Sequence, residues 1–372
     1  MIEILFIVGN RPQYVKLGIL LKKIKKFNMK YKILDTGQHY DKKLSKFFFN
    51  NFNFKPDYDL KIKSGKNTEI ISKIILKLSK FLMKKNFKYL VIFGDTNTTL
   101  SASIVASQLN LKLLHIESGE RTFTRKNFPE EINRVTSDNL SNYLACCSKS
   151  GFNNLKLENF NKKRIFFTGD IMYDLFKDSS KKILIQKKIN LSKYSLKNNE
   201  KFCICTIHRQ ENTSIYNVKN YLKILDNLNF KTLLFAHPRL KKVISKIKWK
   251  PKKNLKIFDP IDYFEMLKLL KKCHVVFTDS GGLKKEAFFS KKFSVNPQSG
   301  LPIWNNINNQ GWSATYRPDD FKFIKNKLNN FRVPKKHNIY EFGTARSCEK
   351  IINIIKKTYS AKEENIWIHN NS

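Results

Sequence analysis

Apolar positions along this chain fall into two alternating kinds of segment. Short, nearly unbroken runs at 3–8 (EILFIV), 31–37 (YKILDTG), 89–95 (YLVIFGD) and 112–118 (KLLHIES) read as strands covered on both faces. Between them, 14–27 (YVKLGILLKKIKKF) and 98–110 (TTLSASIVASQLN) repeat apolar residues at helical spacing, with Lys or small polar residues filling the other face. Strands alternating with helices predict an α/β class with parallel, doubly wound sheets. After 164–176 (RIFFTGDIMYDLF) comes a Lys-, Ser- and Asn-rich stretch, and then the pattern restarts with strands at 202–208, 231–238 and 274–280. Two Rossmann-like domains facing a central cleft are therefore expected: 1–175, a linker over 176–200, a second domain over 201–345, and a terminal amphipathic helix with a tail over 346–372.

Length agrees with this division, since 372 residues exceed the size at which a single core stops growing. Charge changes the picture less than its size suggests. There are 71 Lys and Arg against 30 Asp and Glu, a net +41, but the lysines interleave with apolar residues at helical spacing instead of clustering. They read as exposed helix faces, which argues against a nucleic-acid groove while still providing a field that draws in anionic small molecules. No apolar run approaches a membrane span. The six cysteines lie mostly in strand-like runs without a C-x-x-C pair, so they read as buried thiols of a cytoplasmic protein; neither His segment has metal-ligand spacing.

Candidate chemistry lies in the turns that follow strands. In VGNRPQYVK, Gly9 suits a tight turn and Pro12 an early helical position, with Arg11 and Lys16 flanking a helix start suited to an anion. In FGDTNTTLSAS, Asp95 stands between strand and helix, where it is either a cap or a functional carboxylate. In VVFTDSGGLKKEAFF, Ser280, Gly281 and Gly282 let the backbone approach a diphosphate, and Glu286 one turn later would accept ribose hydroxyls. TIHRQEN carries His208, and FAHPRL carries His237 and Arg239; both follow strands and suit phosphate contact or acid/base work.

Taken in order, these stretches resemble the non-hydrolysing UDP-N-acetylglucosamine 2-epimerase family from about residue 3 to about residue 355. The resemblance rests on GNRPQ with Lys16, TGQHYD, GDTNTTL, HIESGERT, PEEINR, TGDIMYD, TIHRQEN, HPR and TDSGGLKKEA. It implies a glycosyltransferase-B type fold whose second domain holds UDP. It also implies a cofactor-free isomerase that eliminates UDP as the C2 proton leaves and adds it back after reprotonation on the other face, supplying precursors of surface polysaccharides. Asp95, Glu117 and Glu130 match the family's catalytic carboxylates, and the adjacent Glu131 together with His208 completes the expected catalytic set. Arg11, Lys16, Arg134, His208, Ser280, Gly281 and Glu286 match positions that contact UDP, its phosphates or the sugar. A homodimer is implied as well.

Departures sharpen the expectation. Glu120 stands where the family has an apolar residue and reads as a surface replacement. TGQHYD and GDIMYD are closer to the branch acting on UDP-2,3-diacetamido-2,3-dideoxy-glucuronate, and Gln38-His39 lacks the Met that accompanies activation by substrate. Ser299 and Ile303 replace an Arg and a Glu. An active epimerase is thus the leading expectation, beside a degenerate nucleotide-sugar-binding homologue and a glycosyltransferase of the same fold.

Overall fold

The computed structural model describes residues 3–27, 29–38, 53–62, 65–124, 129–185, 189–251, 253–300, 302 and 304–361. It divides into two compact units, one formed by 1–175 with 340–372 and the other by 176–339.

The first unit carries a seven-stranded sheet of β1 (Glu3–Val8), β2 (Lys30–Asp35), β3 (Tyr58–Asp59), β4 (Tyr89–Phe93), β5 (Lys112–Ser118), β6 (Tyr143–Cys146) and β7 (Ile165–Phe167). Their order is β3-β2-β1-β4-β5-β6-β7, and every pairing is parallel. Its helices are α1 (Arg11–Ile24), α2 (Asn67–Leu82), α3 (Asn97–Gln108), α4 (Pro129–Leu140) and α5 (Lys149–Leu157), with α6 (Ile171–Ile185) beginning in this unit. The alternation within β1 shows why its sequence is apolar throughout. Ile4, Phe6 and Val8 enter one core with α1, while Leu5 and Ile7 enter another with α2 and α3.

The second unit carries β8 (Phe202–Thr206), β9 (Lys231–Phe235), β10 (Leu255–Phe258), β11 (Val275–Thr278), β12 (Phe293–Pro297) and β13 (Ser313–Tyr316). The order is β10-β9-β8-β11-β12-β13, again wholly parallel. Helices α7 (Ile215–Asp226), α8 (Pro238–Ile247), α9 (Tyr263–Lys272), α10 (Gly281–Phe289), α11 (Asn305–Asn309) and α12 (Phe321–Asn329) connect them. Two parallel α/β sheets are the class that the apolar pattern predicts.

The stretch read as a linker begins as helix, because α6 runs on to Ile185. The last helix, α13 (Ser347–Tyr359), packs into the first unit. Its Ile351, Ile352, Ile354 and Ile355 join the core with Phe6, Leu17 and Tyr89, and Tyr89 and Thr358 share a hydroxyl hydrogen bond of 2.6 Å. Asp174 accepts from the first amides of α13, Ser347 at 3.1 Å and Cys348 at 2.9 Å, and Lys112 Nζ donates to the terminal carbonyls of Thr358 and Tyr359. Both ends of the helix thereby have partners for groups that helix geometry leaves open. Among the described residues, no helix is long and apolar enough to cross a membrane. All six cysteines are buried free thiols.

Candidate active site

Parallel strands bring the turns after β1, β4 and β5 to one edge of the first sheet, where ligands of such folds collect. Gly9 is needed there for space. A Cβ on it would lie 2.2 Å from Thr36 Oγ1 and 2.3 Å from Thr98 Oγ1. Gln13, which sequence reading passed over inside its motif, ties two of the turns together. Its Oε1 accepts from Gly9 N at 2.8 Å, and its Nε2 donates to Phe93 O at 2.7 Å and to Thr96 and Thr99 hydroxyls.

The question left open at Asp95 has a geometric answer. The cap of α3 is Thr96, whose hydroxyl accepts from Thr99 N at 3.3 Å in a capping box. Asp95 is therefore free to bond the guanidinium of Arg134, and its backbone oxygen accepts from Asn133 at 3.0 Å. Arg134 is buried on α4 and also holds Glu131 at 2.5 Å. Burial alone would pull the Arg134 guanidinium down, but the charges of Asp95 and Glu131 outweigh it and raise it. Glu131 is itself buried and accepts from the amides of Thr122 and Phe123 at 3.0 Å. Its lone pairs are engaged in holding backbone, whereas Glu130 beside it is exposed.

Glu117 sits where the β5–β6 register shifts, with φ of 72°, a left-handed conformation that a side chain adopts at a cost of about 1 kcal/mol or more. The bulge re-aims its carboxylate onto Lys16 Nζ, a buried ammonium from α1. A Cβ at Gly94, itself at φ 66°, would stand 3.2 Å from Glu117 Oε2, so only glycine leaves that carboxylate its room. Both flanks of Glu117 are pinned. Asp138 accepts from His115 Nδ1 at 2.7 Å and from Gly119 N at 3.0 Å, and the other ring nitrogen of His115 meets Gly94 O at 2.6 Å. Burial would push the Asp138 carboxyl up, but His115 and Arg121 hold it below the usual range.

Glu120 corrects an expectation. It is no surface replacement: it is buried, and its Oε1 accepts from Ser148, the cap of α5, and from Cys147 Sγ at 3.3 Å. The partners lie 27 and 28 residues onward in sequence, a separation that leaves no local signal of burial. Arg11 is exposed at the first turn of α1.

In the second unit, Asp279 follows β11 and organises the turn after β8. Its carboxylate accepts from His208 N, from Arg209 N at 2.8 Å, from Asn212 Nδ2 at 3.0 Å and from His208 Nδ1 at 2.8 Å. Burial opposes its ionisation, yet these donors hold it below the ordinary carboxylate value. Ser280 caps α10 by accepting from Leu283 N at 3.3 Å, so Gly281 and Gly282 are the first helical residues rather than part of a loop. Glu286 is half-buried one turn on. His237 caps α8, accepting from Arg239 N at 3.4 Å, and both side chains are exposed. Asp279, Ser280, Gly281, Lys284, Asn296, Gln298, Pro302 and Trp304 line a small recess. Ser299 is exposed, while Ile303, His39, Tyr40 and Asp41 lie outside the described residues. Among those residues, no group of three or more His, Cys, Asp or Glu side chains is placed to hold a metal ion.

Comparison with known proteins gives consistent matches. The family model described as UDP-N-acetylglucosamine 2-epimerase matches residues 22–356. A UDP-N-acetylglucosamine 2-epimerase homolog of Methanococcus maripaludis is 35% identical over 367 residues, covering 95% of this chain and 99% of its own. A UDP-2,3-diacetamido-2,3-dideoxy-D-glucuronate 2-epimerase of Pseudomonas aeruginosa is 34% identical over 298 residues, covering 78% of this chain and 81% of its own. The crystal structure of the Methanocaldococcus jannaschii UDP-GlcNAc 2-epimerase in complex with UDP-GlcNAc and UDP superposes with a TM-score of 0.83 at 30% identity, covering 96% of this chain and 100% of that one.

Proposed function

Because this chain belongs to the UDP-N-acetylglucosamine 2-epimerase family, we infer that it inverts C2 of a UDP-2-acetamido sugar by eliminating and re-adding UDP. The observation that carries the residue assignment is the pair of carboxylate–cation contacts at the strand ends of the first unit, Asp95 with Arg134 and Glu117 with Lys16.

Inversion at C2 requires a base on one face of the sugar, an acid on the other, and stabilisation of the departing diphosphate. The base takes the C2 proton, the C1–O bond breaks with its electron pair leaving on UDP, and a 2-acetamidoglucal remains. Protonation at C2 from the opposite face and return of the diphosphate oxygen to C1 complete the cycle. Asp95, Glu117 and Glu130 carry the proton transfers. Glu131 positions Arg134 and the backbone at Thr122 and Phe123, a role that its buried hydrogen bonds support better than proton transfer. Arg11, Lys16 and Arg134 supply positive charge. His208, Ser280, Gly281, Gly282 and Glu286 hold UDP, with His237 and Arg239 as further phosphate contacts. The protein works as a homodimer in a reducing, cytoplasmic compartment, which its six buried free thiols suit, and its product feeds synthesis of a surface polysaccharide.

The sugar is UDP-N-acetylglucosamine or its 2,3-diacetamido uronate analogue. Relatives named for each stand at nearly equal identity, 35% and 34%, so both belong in the test. Incubation of each UDP-sugar in deuterated water, followed by NMR, is expected to show deuterium at C2 and the second epimer for one of them, with little free UDP and no added nicotinamide or metal. Binding of UDP without exchange at C2 of either sugar would leave a nucleotide-binding homologue instead.

A further inference from the structure

Lys284 is the least expected group in the second unit. It lies on α10 with only 4% of its surface exposed, and it lines the recess at the start of that helix. One of its three N–H donors reaches Asn308 Oδ1 at 2.7 Å; among the described residues the other two have no acceptor, and no carboxylate pairs with it. Asp279, the acid that shares the recess, is occupied by the His208 and Arg209 amides, the Asn212 amide group and the His208 ring. The first-turn amides of Gly281 and Gly282 also open at this end of α10, because helix geometry gives them no internal acceptor and the Ser280 hydroxyl is taken by Leu283 N. A buried cation without a counter-ion is costly, and it persists where something else supplies the charge.

We propose that Lys284 is an anion-binding side chain that, with the first-turn amides of α10, takes hold of the diphosphate of the nucleotide sugar. This rests on the UDP-sugar reading given above and adds to it a residue that the family resemblance did not mark. Buried polar donors facing a small recess suit the non-bridging oxygens of a diphosphate, which accept several charge-assisted hydrogen bonds at once. Burial first, and then the nearby Arg209 guanidinium, pull the Lys284 ammonium down to about 7. The other charged groups around it are His208 and Asp279 at the strand ends and Lys285 and Glu286 on its own helix. A diphosphate bound in the recess supplies the negative charge that Lys284 lacks among the described residues.

The test measures binding of UDP, inorganic pyrophosphate and uridine by calorimetry to the wild-type chain and to Lys284→Met and Lys284→Gln. Both substitutions remove a buried charge, so neither is expected to endanger folding, and retained cooperative melting verifies this. UDP and pyrophosphate are expected to weaken together by ~10- to 100-fold in both variants while uridine is unchanged, the size of a lost charged hydrogen bond. Uridine weakening in step with UDP would assign Lys284 a purely structural role, and unchanged pyrophosphate binding would overturn the proposal outright. Wild-type protein that binds pyrophosphate but not UDP would refute the nucleotide-sugar reading, with the pyrophosphate ratio still judging Lys284. Wild-type protein that binds neither would refute both.

Discussion

At the strand ends of the first unit, Asp95 and Glu117 each rest against a cation, Arg134 or Lys16. At the strand ends of the second, Asp279 is turned onto backbone amides and a histidine ring, and the buried Lys284 of the next helix meets no acid among the described residues. The scaffold is the same in both, a parallel sheet with helices starting after most of its strands. On the reading proposed above, the side chains set in those turns suit one unit to moving protons and the other to holding an anion. Function is thus placed on the fold by a handful of residues, as fold alone does not dictate chemistry.

The sharpest way to break this contrast is to neutralise one side of it. Asp95→Asn or Glu117→Gln is expected to lower turnover by roughly 10²- to 10⁴-fold, the range for lost acid/base groups, with UDP affinity by calorimetry unaltered. Near-normal turnover in both variants would mean that these carboxylates are structural after all. Arg134→Met strands Asp95 and Glu131 without their shared cation and should cost ~3 to 5 kcal/mol of stability in a denaturant titration. A loss below about 1 kcal/mol would show the pair to be solvated and dispensable.

Asp279→Asn should remove ~1.5 to 3 kcal/mol together with UDP affinity, since the turn bearing His208 loses its charged acceptor. Its pH dependence has a definite sign. Because the folded value lies below the unfolded one, the stabilisation is complete above the ordinary carboxylate range and disappears as pH falls through the lower folded value. Wild type and Asp279→Asn should therefore converge in acid.

The smallest effect is expected at Lys284, and its sign is opposite. A folded value of about 7, below that of a free lysine, makes the charge a burden that is full below pH 7 and fades towards pH 10.5. Lys284→Met should raise the melting temperature at pH 6 by a few degrees, equivalent to about 1 kcal/mol or more, with the gain shrinking as pH rises. A gain independent of pH would instead trace to better packing.

Much of this contrast is legible in the sequence, for definable reasons. Strand runs and glycine-bearing turns are local signals, so the alternating elements and the turns at Gly9, Asp95 and Ser280 can be found by spacing. Partnerships are not local. Arg134 reaches back 39 residues to Asp95, and Glu120 meets Ser148 28 residues away, so one buried acid passed for a surface residue. Lys284 was hidden by abundance. In a chain with 71 Lys and Arg, two adjacent lysines look like a solvated face, yet α10 is a short helix whose Lys284 and Lys285 are both buried. Glu117 gave no signal at all of its left-handed backbone, because a bulge depends on the register of the neighbouring strand.

The last helix has a bearing on how the protein is made. Four isoleucines of α13 belong to the core of the first unit, and burying each contributes about 1.5 to 3 kcal/mol, yet they leave the ribosome only after the whole of the second unit has been made. Residues 176–339 emerge complete before that core can close, so during synthesis the later half is ready to fold while the earlier half waits. A nascent chain halted after Ile339 would keep the apolar docking surface of α13 uncovered and dependent on chaperones, and a release of that dependence as translation passes Tyr359 would mark the moment of completion.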